Sequence, residues 1–317
     1  MIQKIKIAYL GSGPISNFHV PALRMAGFEI NHIFSRENSQ RLKSFAAKHN
    51  IKKVSKNLKE FIYESKDVDA FVIAIKTEAT YPLLKILSNK KKPILVEKPG
   101  SLQAKDLKKI KFKDKIFFAY NRRFYDSVYW FKKFLKKKNS SFVSVTIPDT
   151  IKTYHQFIIN GCHVIDLLSY IFGKLKLLSI NKTKNKNENG ILIIMKSFKG
   201  DLINIILNWG APDNFSINAF NNNERFELRP LEIGRLYKTL EVIEPTKKNP
   251  IRLYQPKVEK IYVSSKKFKN FKPGFVEQYL SFKNIILKNK KDQKLCSFDE
   301  AIENLQIINK IILKSKK

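Results

Sequence analysis

Apolar runs of strand type alternate with helix-like patterns through the first third of the chain. The predicted strands are Lys4–Leu10, Phe28–Phe34, Val68–Ile75, Pro93–Val96 and Lys115–Tyr120. The helical patterns between them cover Ile15–Ala26, Asn38–His49, Leu58–Ser65, Thr80–Asn89 and Ser101–Lys108. A strand that is apolar throughout, such as Val68–Ile75, is typical of a sheet covered on both faces. This alternation predicts a doubly wound parallel sheet with helices on both sides.

The pattern changes after about Arg123. Helices are predicted at Ser127–Lys137, Cys162–Phe172, Phe275–Lys288 and Phe298–Ser315. Strand-like runs dominate the remainder, at Phe142–Ile147, Leu175–Asn181, Ile191–Phe198, Leu202–Trp209, Phe215–Phe220, Glu224–Leu228 and Leu231–Tyr237. Gly, Asn and Pro separate these runs, and we interpret 182–189 as a hairpin loop. The sequence therefore predicts an α/β protein with two domains, residues 1–121 with the parallel sheet and residues 122–317 with an antiparallel sheet.

The composition fits a folded protein without disulfides. Of the 317 residues 43% are hydrophobic, which excludes global disorder, and two cysteines are too few for a disulfide scaffold. No apolar run approaches the roughly 20 residues that a membrane span needs. The first ten residues form a strand pattern containing Lys rather than a signal peptide. We expect a soluble cytoplasmic protein, with Cys162 and Cys296 as free thiols and no membrane partner.

The strongly basic charge raises a nucleic-acid hypothesis. The formal charge is +34, from 61 Lys and Arg against 27 Asp and Glu, and clustered cations bind phosphates by releasing counterions. Only nine of these cations are Arg, the better reader of phosphates and bases. Excess Lys, Asn and Ile is typical of an A- and T-rich genome. Basic–aromatic stretches at 130–134 and 267–272 keep the hypothesis open, but we expect no nucleic-acid partner.

A glycine-rich turn follows the first predicted strand. It has the sequence Gly11-Ser12-Gly13-Pro14-Ile15, and Ser16 opens the next helix. Gly11 permits a tight turn, and Gly13 lets the backbone approach a pyrophosphate at the positive end of the helix. The position between a strand and a helix favours a dinucleotide site over a tight turn without a ligand.

The end of the second strand bears on the choice of cofactor. A dinucleotide fold usually carries an acid there for the ribose 2′-hydroxyl, but this chain has Ser35 and Arg36. A short hydroxyl followed by a guanidinium favours a 2′-phosphate, so we expect NADP in preference to NAD. Glu37 leaves the choice open, because it could neutralise Arg36 or bind the ribose itself. Arg36 could also be a solvated loop residue.

Two further segments carry candidate chemistry. Lys98, in the run Val96-Glu97-Lys98-Pro99, ends an apolar strand and points to the crevice where ligands bind in such sheets. A lysine there can stabilise negative charge on a substrate oxygen, although a single Lys is more often a surface charge. His163 and Asp166 lie on one face of a predicted helix, where His163 can move a proton or merely pack.

Together these segments resemble the glucose–fructose oxidoreductase, inositol dehydrogenase and rhizopine-catabolism (Gfo/Idh/MocA) family. The resemblance runs through the glycine turn with His19, the triplet Glu97–Pro99, the segment Tyr120–Phe124 and the helix Gly161–Gly173. It implies an N-terminal Rossmann domain and a C-terminal α/β domain with a largely antiparallel open sheet. That sheet commonly forms the contact between copies, so we expect a homodimer or homotetramer.

The resemblance also implies an activity. The expected reaction is hydride transfer between a nicotinamide and a hydroxyl or keto carbon of a sugar, cyclitol or nucleotide-sugar, without a metal. Lys98 and His163 would be catalytic, and Arg122 would lie near the substrate. The nicotinamide cofactor would lie along the glycine turn and residues Ser35, Arg36, Ile75, Thr80, Glu97, Lys98 and Asn121.

Two positions depart from the family pattern. Many active members have an Asp four residues before the histidine, where this chain has Ile159, and Thr80 replaces a usual histidine. His163 therefore needs another partner, and the candidates in the preceding loop are Asp149, Tyr154 and His155. We group these three residues with Arg122 and Asp166 as substrate-binding residues. The missing acid motivates an alternative function, a catalytically silent NAD(P)-binding member that acts as a sensor or assembly partner.

Overall fold

The computed structural model describes residues 4–36, 39–136, 139–149, 153–182, 190–263, 266–288 and 292–316, with the side chains of residues 149, 209 and 266 left aside. The chain divides into two compact units. The first consists of Met1–Phe124, Phe157–Asp166 and Lys267–Asn309, and the second of Tyr125–Gln156, Leu167–Lys266 and Lys310–Lys317.

The apolar runs of the first third form the sheet of the first unit. Its strands are β1 (Ile5–Leu10), β2 (Phe28–Phe34), β3 (Ala70–Ile73), β4 (Ile94–Val96), β5 (Ile116–Phe118) and β14 (Cys296–Ser297). They lie in the order β14-β5-β4-β3-β1-β2, and all pairs are parallel except β14 with β5. All four residues of β3 are buried, as expected for a strand covered on both faces. Because the strands are parallel, the segments after β1, β2, β3 and β4 emerge at one edge.

Helices pack against this sheet. They are α1 (Ser16–Met25), α2 (Gln40–Lys48), α3 (Leu58–Glu64), α4 (Thr77–Ser88), α5 (Ala104–Leu107), α9 (Phe275–Lys288) and most of α10 (Phe298–Ser315). Side chains of Ser39 and Asn57 cap α2 and α3 by accepting from Leu42 N and Glu60 N. Helix α9 joins the core through Tyr279 and Phe282, which are fully buried beside residues of β1, β2 and α1.

One helical stretch bears the predicted histidine. It begins as α7 (Tyr154–Gln156), passes through a π-helical turn at Phe157–Gly161 and continues as α8 (Cys162–Phe172). The π-helical turn and the first residues of α8 belong to the first unit. A π-helical turn inside an α-helix is rare and is frequent at functional sites.

The second unit contains α6 (Asp126–Lys136) and a sheet of eight strands. These are β6 (Phe142–Asp149), β7 (Leu175–Lys182), β8 (Gly190–Ser197), β9 (Leu202–Trp209), β10 (Ser216–Asn221), β11 (Glu224–Leu228), β12 (Ile233–Ile243) and β13 (Leu253–Val263). Their order is β13-β12-β11-β10-β6-β9-β8-β7, and only the pair β6 with β9 is parallel. Alternate residues of β6 and β9, such as Val145 and Ile205, are fully buried.

The predicted fold class is confirmed, with a parallel Rossmann-like sheet followed by a mostly antiparallel one. The domain limits differ from the prediction of 1–121 and 122–317, because residues 157–166 and 267–309 lie in the first unit. The reasons are that α9 packs beside α1 and that β14 pairs with β5. The loop predicted at 182–189 lies, after Lys182, outside the described residues. No helix in the described part of the chain has the length and apolar character needed to cross a membrane.

Candidate functional site

The two glycines of the turn after β1 have different roles. Gly11 has a φ of 134°, and a Cβ atom placed on it would lie 2.1 Å from the carbonyl oxygen of Ala74. Its amide donates to Phe34 O at 2.9 Å, which joins the ends of β1 and β2. A Cβ atom on Gly13 would meet no other atom within 4 Å. Gly11 is therefore required by the fold, whereas Gly13 faces open space into which a ligand can approach.

Helix α1 begins beside this turn with its first turn uncapped by any side chain. Ile15 is the N-cap residue, and the first turn holds no acidic residue that would oppose an anion. Ser12 is buried and Pro14 is exposed. An open glycine next to a helix N-terminus of this kind fits the pyrophosphate of a dinucleotide, because the positive end of the helix dipole attracts negative charge.

The other predicted cofactor residues lie at the same edge with different exposure. Ser35 is half-buried and Arg36 exposed just beyond β2, next to the glycine turn, while Glu37 lies outside the described residues. Ile75 follows β3 and is half-buried. Thr80 is buried in α4, and its hydroxyl donates to the Lys76 carbonyl at 3.0 Å, so that this hydroxyl serves the helix.

Glu97 is held by a buried histidine. His19 Nε2 lies 2.9 Å from the Glu97 carboxylate, and His19 Nδ1 lies 2.5 Å from the Tyr279 hydroxyl. Burial alone would raise the pKa of Glu97, but the hydrogen bond and charge of His19, with the charges of Lys98 and Lys272, hold that pKa below its ordinary value. The carboxylate therefore stays ionised and ties the segment after β4 to α1 and α9.

Lys98 follows directly and binds a main-chain oxygen. Its Nζ donates to the carbonyl of Ile159 at 2.8 Å, and both residues belong to the first unit. Ile159 stands where the family pattern has an acid, and its apolar side chain provides no carboxylate for His163 or Lys98, whereas its main-chain carbonyl binds the lysine. An ammonium group has three donors, which leaves two of them for a ligand.

His163 lies at the start of α8, one residue after Cys162. The ring of Tyr120 approaches it edge-on, with centroids 5.9 Å apart and an interplanar angle of 89°. The Nδ1 atom of His163 is buried and has no hydrogen-bond partner within the described part of the chain. Burial and the charges of Lys98, Arg122 and Lys272 hold the pKa of His163 well below its ordinary value. The imidazole is therefore neutral near pH 7 and can accept a proton.

The segment after β5 contributes Asn121 and Arg122. The Asn121 amide is buried and donates to Pro273 O at 2.9 Å, so it supports the segment before α9. Arg122 is half-buried, and its charge acts on His163. Lys98, Arg122 and His163, which come from three separate segments, are thus brought together in the first unit.

Asp166 occupies a different environment from the one expected of a substrate-binding residue. Its carboxylate is 1% exposed and binds Arg123, with Asp166 Oδ1 2.6 Å from Arg123 Nη2, and it also accepts from Asn304 Nδ2 at 2.8 Å. Both oxygens are engaged, since Oδ2 accepts from Arg123 Nε at 2.9 Å. Because both oxygens bind protein groups, the geometry favours a positioning role for Asp166. The helical spacing between Asp166 and His163 did not reveal these partners.

The remaining predicted substrate residues lie in the second unit. Asp149 ends β6 and its side chain lies outside the described part. Tyr154 is half-buried and donates to Ser315 O at 3.3 Å, and His155 is exposed. A role for these three residues beside His163 stays a prediction.

Two other chemistries find no support in the described side chains. Burial raises the pKa of the Cys162 thiol to about 11, although Lys98 opposes this shift, so Cys162 is not a thiolate nucleophile. Cys296 is also buried and free. Within the described residues no group of three or more His, Cys, Asp and Glu is arranged to hold a metal ion.

Sequence reasoning missed three contributors. The Ile159 carbonyl is a main-chain group, which a side-chain motif does not reveal. Lys272 acts on both Glu97 and His163, but it is one lysine among many in the sequence. The aromatic contact of Tyr120 with His163 joins two segments that the resemblance had quoted separately.

Comparison with known proteins agrees with this geometry. Residues 5–113 match the family model GFO_IDH_MocA, described as an oxidoreductase family with an NAD-binding Rossmann fold. A search of curated proteins finds no match. An oxidoreductase from Thermotoga maritima is 17% identical with a TM-score of 0.75, over 99% of this chain and 97% of that one.

Two other solved structures share the fold. The WlbA dehydrogenase from Bordetella pertussis, in complex with NADH and UDP-GlcNAcA, is 14% identical with a TM-score of 0.73 over 100% of this chain and 96% of that one. The UDP-N-acetylglucosamine 3-dehydrogenase GnnA from Acidithiobacillus ferrooxidans is 12% identical with a TM-score of 0.75 over 99% and 98%. The resemblance found in the sequence is thus confirmed: residues 5–113 match the model of the Gfo/Idh/MocA oxidoreductase family, and the whole chain shares its fold with these solved oxidoreductase and dehydrogenase structures.

Proposed function

We propose that this protein is an NAD(P)-dependent dehydrogenase or reductase that acts on a hydroxyl or keto carbon of a sugar, cyclitol or nucleotide-sugar. The observation that carries the proposal is the position of Lys98. Its ammonium lies at the carboxyl end of β4 and is fixed by Ile159 O at 2.8 Å, in the unit that also carries the glycine turn and His163. This edge of a parallel sheet is where ligands bind in doubly wound folds.

The cofactor supplies the hydride-accepting and hydride-donating carbon of its nicotinamide when bound. The chain supplies the binding groups: Gly13 and the start of α1 for the pyrophosphate, and Ser35 with Arg36 for the adenosine end. An exposed guanidinium beyond β2 complements a 2′-phosphate. We therefore propose NADP as the preferred form, with Ile75, Thr80 and Asn121 as neighbours of the cofactor.

Lys98 has a direct role in the proposed reaction. One of its three N–H groups is committed to Ile159 O, and the others can donate to the oxygen of the reacting carbon. A positive charge at that point stabilises the negative charge that develops on this oxygen as its proton leaves. Because the partner at 159 is a neutral carbonyl, it fixes the direction of the ammonium without cancelling its charge.

His163 is suited to take that proton. Its imidazole is neutral near pH 7 because burial and nearby cations lower its pKa. The same cations disfavour the imidazolium form, so the proton is passed on rather than retained. In the opposite direction of reaction the histidine would return a proton to the substrate oxygen.

The names of the similar structures support a carbohydrate substrate, since one is a complex with UDP-GlcNAcA and another is a UDP-N-acetylglucosamine 3-dehydrogenase. Arg122, whose charge acts on His163, is the proposed substrate-binding group, together with Asp149, Tyr154 and His155. The reacting carbon would lie between Lys98, Arg122 and His163.

We also propose a homodimer or homotetramer formed through the sheet of the second unit. Phe142, Phe220 and Leu202 are 50%, 42% and 37% exposed and lie side by side on neighbouring strands β6, β10 and β9. Adjacent exposed apolar side chains of this kind mark interaction surfaces. Sedimentation equilibrium would test this; a monomer at micromolar concentration would contradict it.

The test of function is turnover of a substrate panel. Nucleotide-sugars, polyols and sugar acids are incubated with NADP or NAD, and the corresponding keto compounds with NADPH or NADH, while the reduced nicotinamide is followed by absorbance. We expect turnover with at least one member, stronger with the phosphorylated cofactor. Cofactor binding without turnover of any member would favour the silent sensor, for which the absence of an acid at 159 is the supporting observation.

One of the two basic–aromatic stretches behind the nucleic-acid hypothesis has its aromatic rings packed within the fold. Phe131 is fully buried in α6, and Trp130 stacks on Tyr262 with centroids 5.0 Å apart, so neither ring is presented to bases as a free face. We therefore propose no nucleic-acid partner. Tight, sequence-independent and strongly salt-dependent binding of nucleic acid at physiological salt would contradict this.

A further inference from the structure

The π-helical turn of Phe157–Gly161 presents one carbonyl to two side chains. The oxygen of Ile159 accepts from Lys98 Nζ at 2.8 Å and from Cys162 Sγ at 3.1 Å. A carbonyl oxygen has two lone pairs and can serve both donors. The position of the Lys98 ammonium is therefore tied to the path of the backbone through this turn.

That path depends on the contact between Gly161 and Phe157. A Cβ atom on Gly161 would lie 2.2 Å from Phe157 Cδ2 and 2.5 Å from Phe157 Cε2. Both residues are buried, and the Phe157 side chain is 0% exposed, so the ring is surrounded by protein atoms. The two residues bracket Ile159, and any added atom at 161 must displace the ring or the backbone that carries the Ile159 carbonyl.

We propose that Gly161 and Phe157 are positioning residues that hold the Ile159 carbonyl, and through it the Lys98 ammonium, in the reacting position. The inference rests on the proposed function, because it assigns the purpose of the contact to the catalytic role of Lys98. The ring of Phe157 fills the space left by the missing side chain at 161, and this fit fixes the direction of the carbonyl between them.

The first experiment uses Gly161→Ala in the full-length protein. We expect kcat to fall by about 10²-fold, the loss that a displacement of about 1 Å in a positioned group can cause, while the Kd for NADPH stays near the wild-type value. A second measurement needs no turnover. Acetylation of Lys98 in the cofactor-free protein, followed by peptide mass spectrometry, should become several-fold faster, because the amine must leave the Ile159 carbonyl to react.

Lys92 is an internal reference for the labelling, because it donates to the carbonyls of Ser65, Lys66 and Val68, away from the π-helical turn. Its acetylation rate should not change. Phe157→Val removes the two ring atoms that an added Cβ would meet, and by itself it should also speed the labelling of Lys98 by loosening the turn. In the double variant the new methyl group occupies part of the vacated space, so both kcat and the labelling rate should return toward wild type.

The outcomes separate the two proposals. Absence of turnover by the wild-type protein on every substrate would count against the proposed function, while the labelling rates would still test the positioning contact. Wild-type turnover together with unchanged kcat and unchanged labelling in Gly161→Ala would overturn the inference. If Gly161→Ala does not fold, an unchanged labelling rate in Phe157→Val overturns it, and a faster rate that the double variant reverses supports it.

Discussion

Arg123 donates two parallel hydrogen bonds to the Asp166 carboxylate in the interior of the first unit. The distances are 2.9 Å from Nε to Oδ2 and 2.6 Å from Nη2 to Oδ1, and both side chains are 1% exposed. Arg123 Nη1 also binds Glu300 at 3.0 Å, and Asn304 donates to Asp166. The pair therefore joins the segment that carries Arg122 to the helix that carries His163, and both to α10.

Removing one member of this pair should be costly. Asp166→Asn leaves a buried guanidinium without its bidentate partner, and we expect the free energy of unfolding to fall by about 3–5 kcal/mol. Urea denaturation of wild type and variant measures the difference. The exposed pair of Arg252 and Glu244, with side chains 52% and 63% exposed, is the control, and Glu244→Gln should cost at most about 1 kcal/mol. Equal losses from both variants would contradict a structural role for the buried pair.

Lys98→Ala should lose nearly all turnover while keeping the affinity for the cofactor. The substitution removes the ammonium that stabilises charge on the substrate oxygen, but it leaves the glycine turn and the start of α1 intact. Steady-state kinetics with the best substrate of the panel, together with fluorescence titration of NADPH, measure the two effects separately. Lys92→Ala is a matched control, because that lysine also donates to backbone carbonyls but lies away from the site. Full activity of Lys98→Ala would refute the catalytic assignment.

The two glycines of the turn should respond in opposite ways to alanine. Gly11→Ala places a methyl group 2.1 Å from a backbone oxygen at a φ of 134°, so we expect a loss of stability of at least about 1–3 kcal/mol. Gly13→Ala meets nothing within 4 Å and should keep the wild-type melting temperature, but its methyl group occupies the approach to the pyrophosphate and should weaken dinucleotide binding. Thermal unfolding and calorimetric titration measure both quantities. A Gly13→Ala variant with wild-type affinity would contradict the cofactor site.

Much of this arrangement is visible in the sequence because it depends on local signals. The strand Phe28–Phe34 and the helices Cys162–Phe172 and Phe298–Ser315 have the predicted limits, since their apolar period and the glycine or polar residues that flank them agree. Strand β13 was not predicted individually. Its eleven residues are almost all exposed and include Pro256, so they carry little of the alternation by which a strand is identified.

The parts of the site that sequence could not supply are those made by long-range contacts. The Ile159 carbonyl that binds Lys98 belongs to the backbone and carries no residue signature. Asp166 has the helical spacing of a partner for His163, but the buried Arg123 lies 43 positions away in the chain and takes its carboxylate. Helix α9 belongs to the first unit because Tyr279 and Phe282 pack into its core, and no local sequence pattern predicts that contact.

The choice between the two nicotinamide cofactors is tested at Arg36. Arg36→Ala should weaken NADPH more than NADH, because a charged hydrogen bond to the 2′-phosphate contributes about 1.5–3 kcal/mol and the plain cofactor lacks that group. Each 1.4 kcal/mol is about tenfold in Kd, so the change for NADPH should be roughly 10- to 100-fold. Arg41→Ala, an exposed arginine on the following helix, is the control for general loss of positive charge. Equal weakening of both cofactors would remove the preference for NADP.

The pH dependence of alcohol oxidation should report the cations around His163. This histidine acts as a base only when neutral, and burial with the charges of Lys98, Arg122 and Lys272 holds its pKa well below the ordinary 6.5. The midpoint of the acid limb in the pH profile of kcat/KM should therefore lie below 6.5. Lys272→Met removes one of the cations, which raises the pKa of His163 and moves the limb to higher pH. Lys269→Met, which removes an exposed lysine of the same segment that does not act on His163, should leave the limb in place. A limb that is unmoved in Lys272→Met, or moved equally in both variants, would show that His163 is not the titrating base.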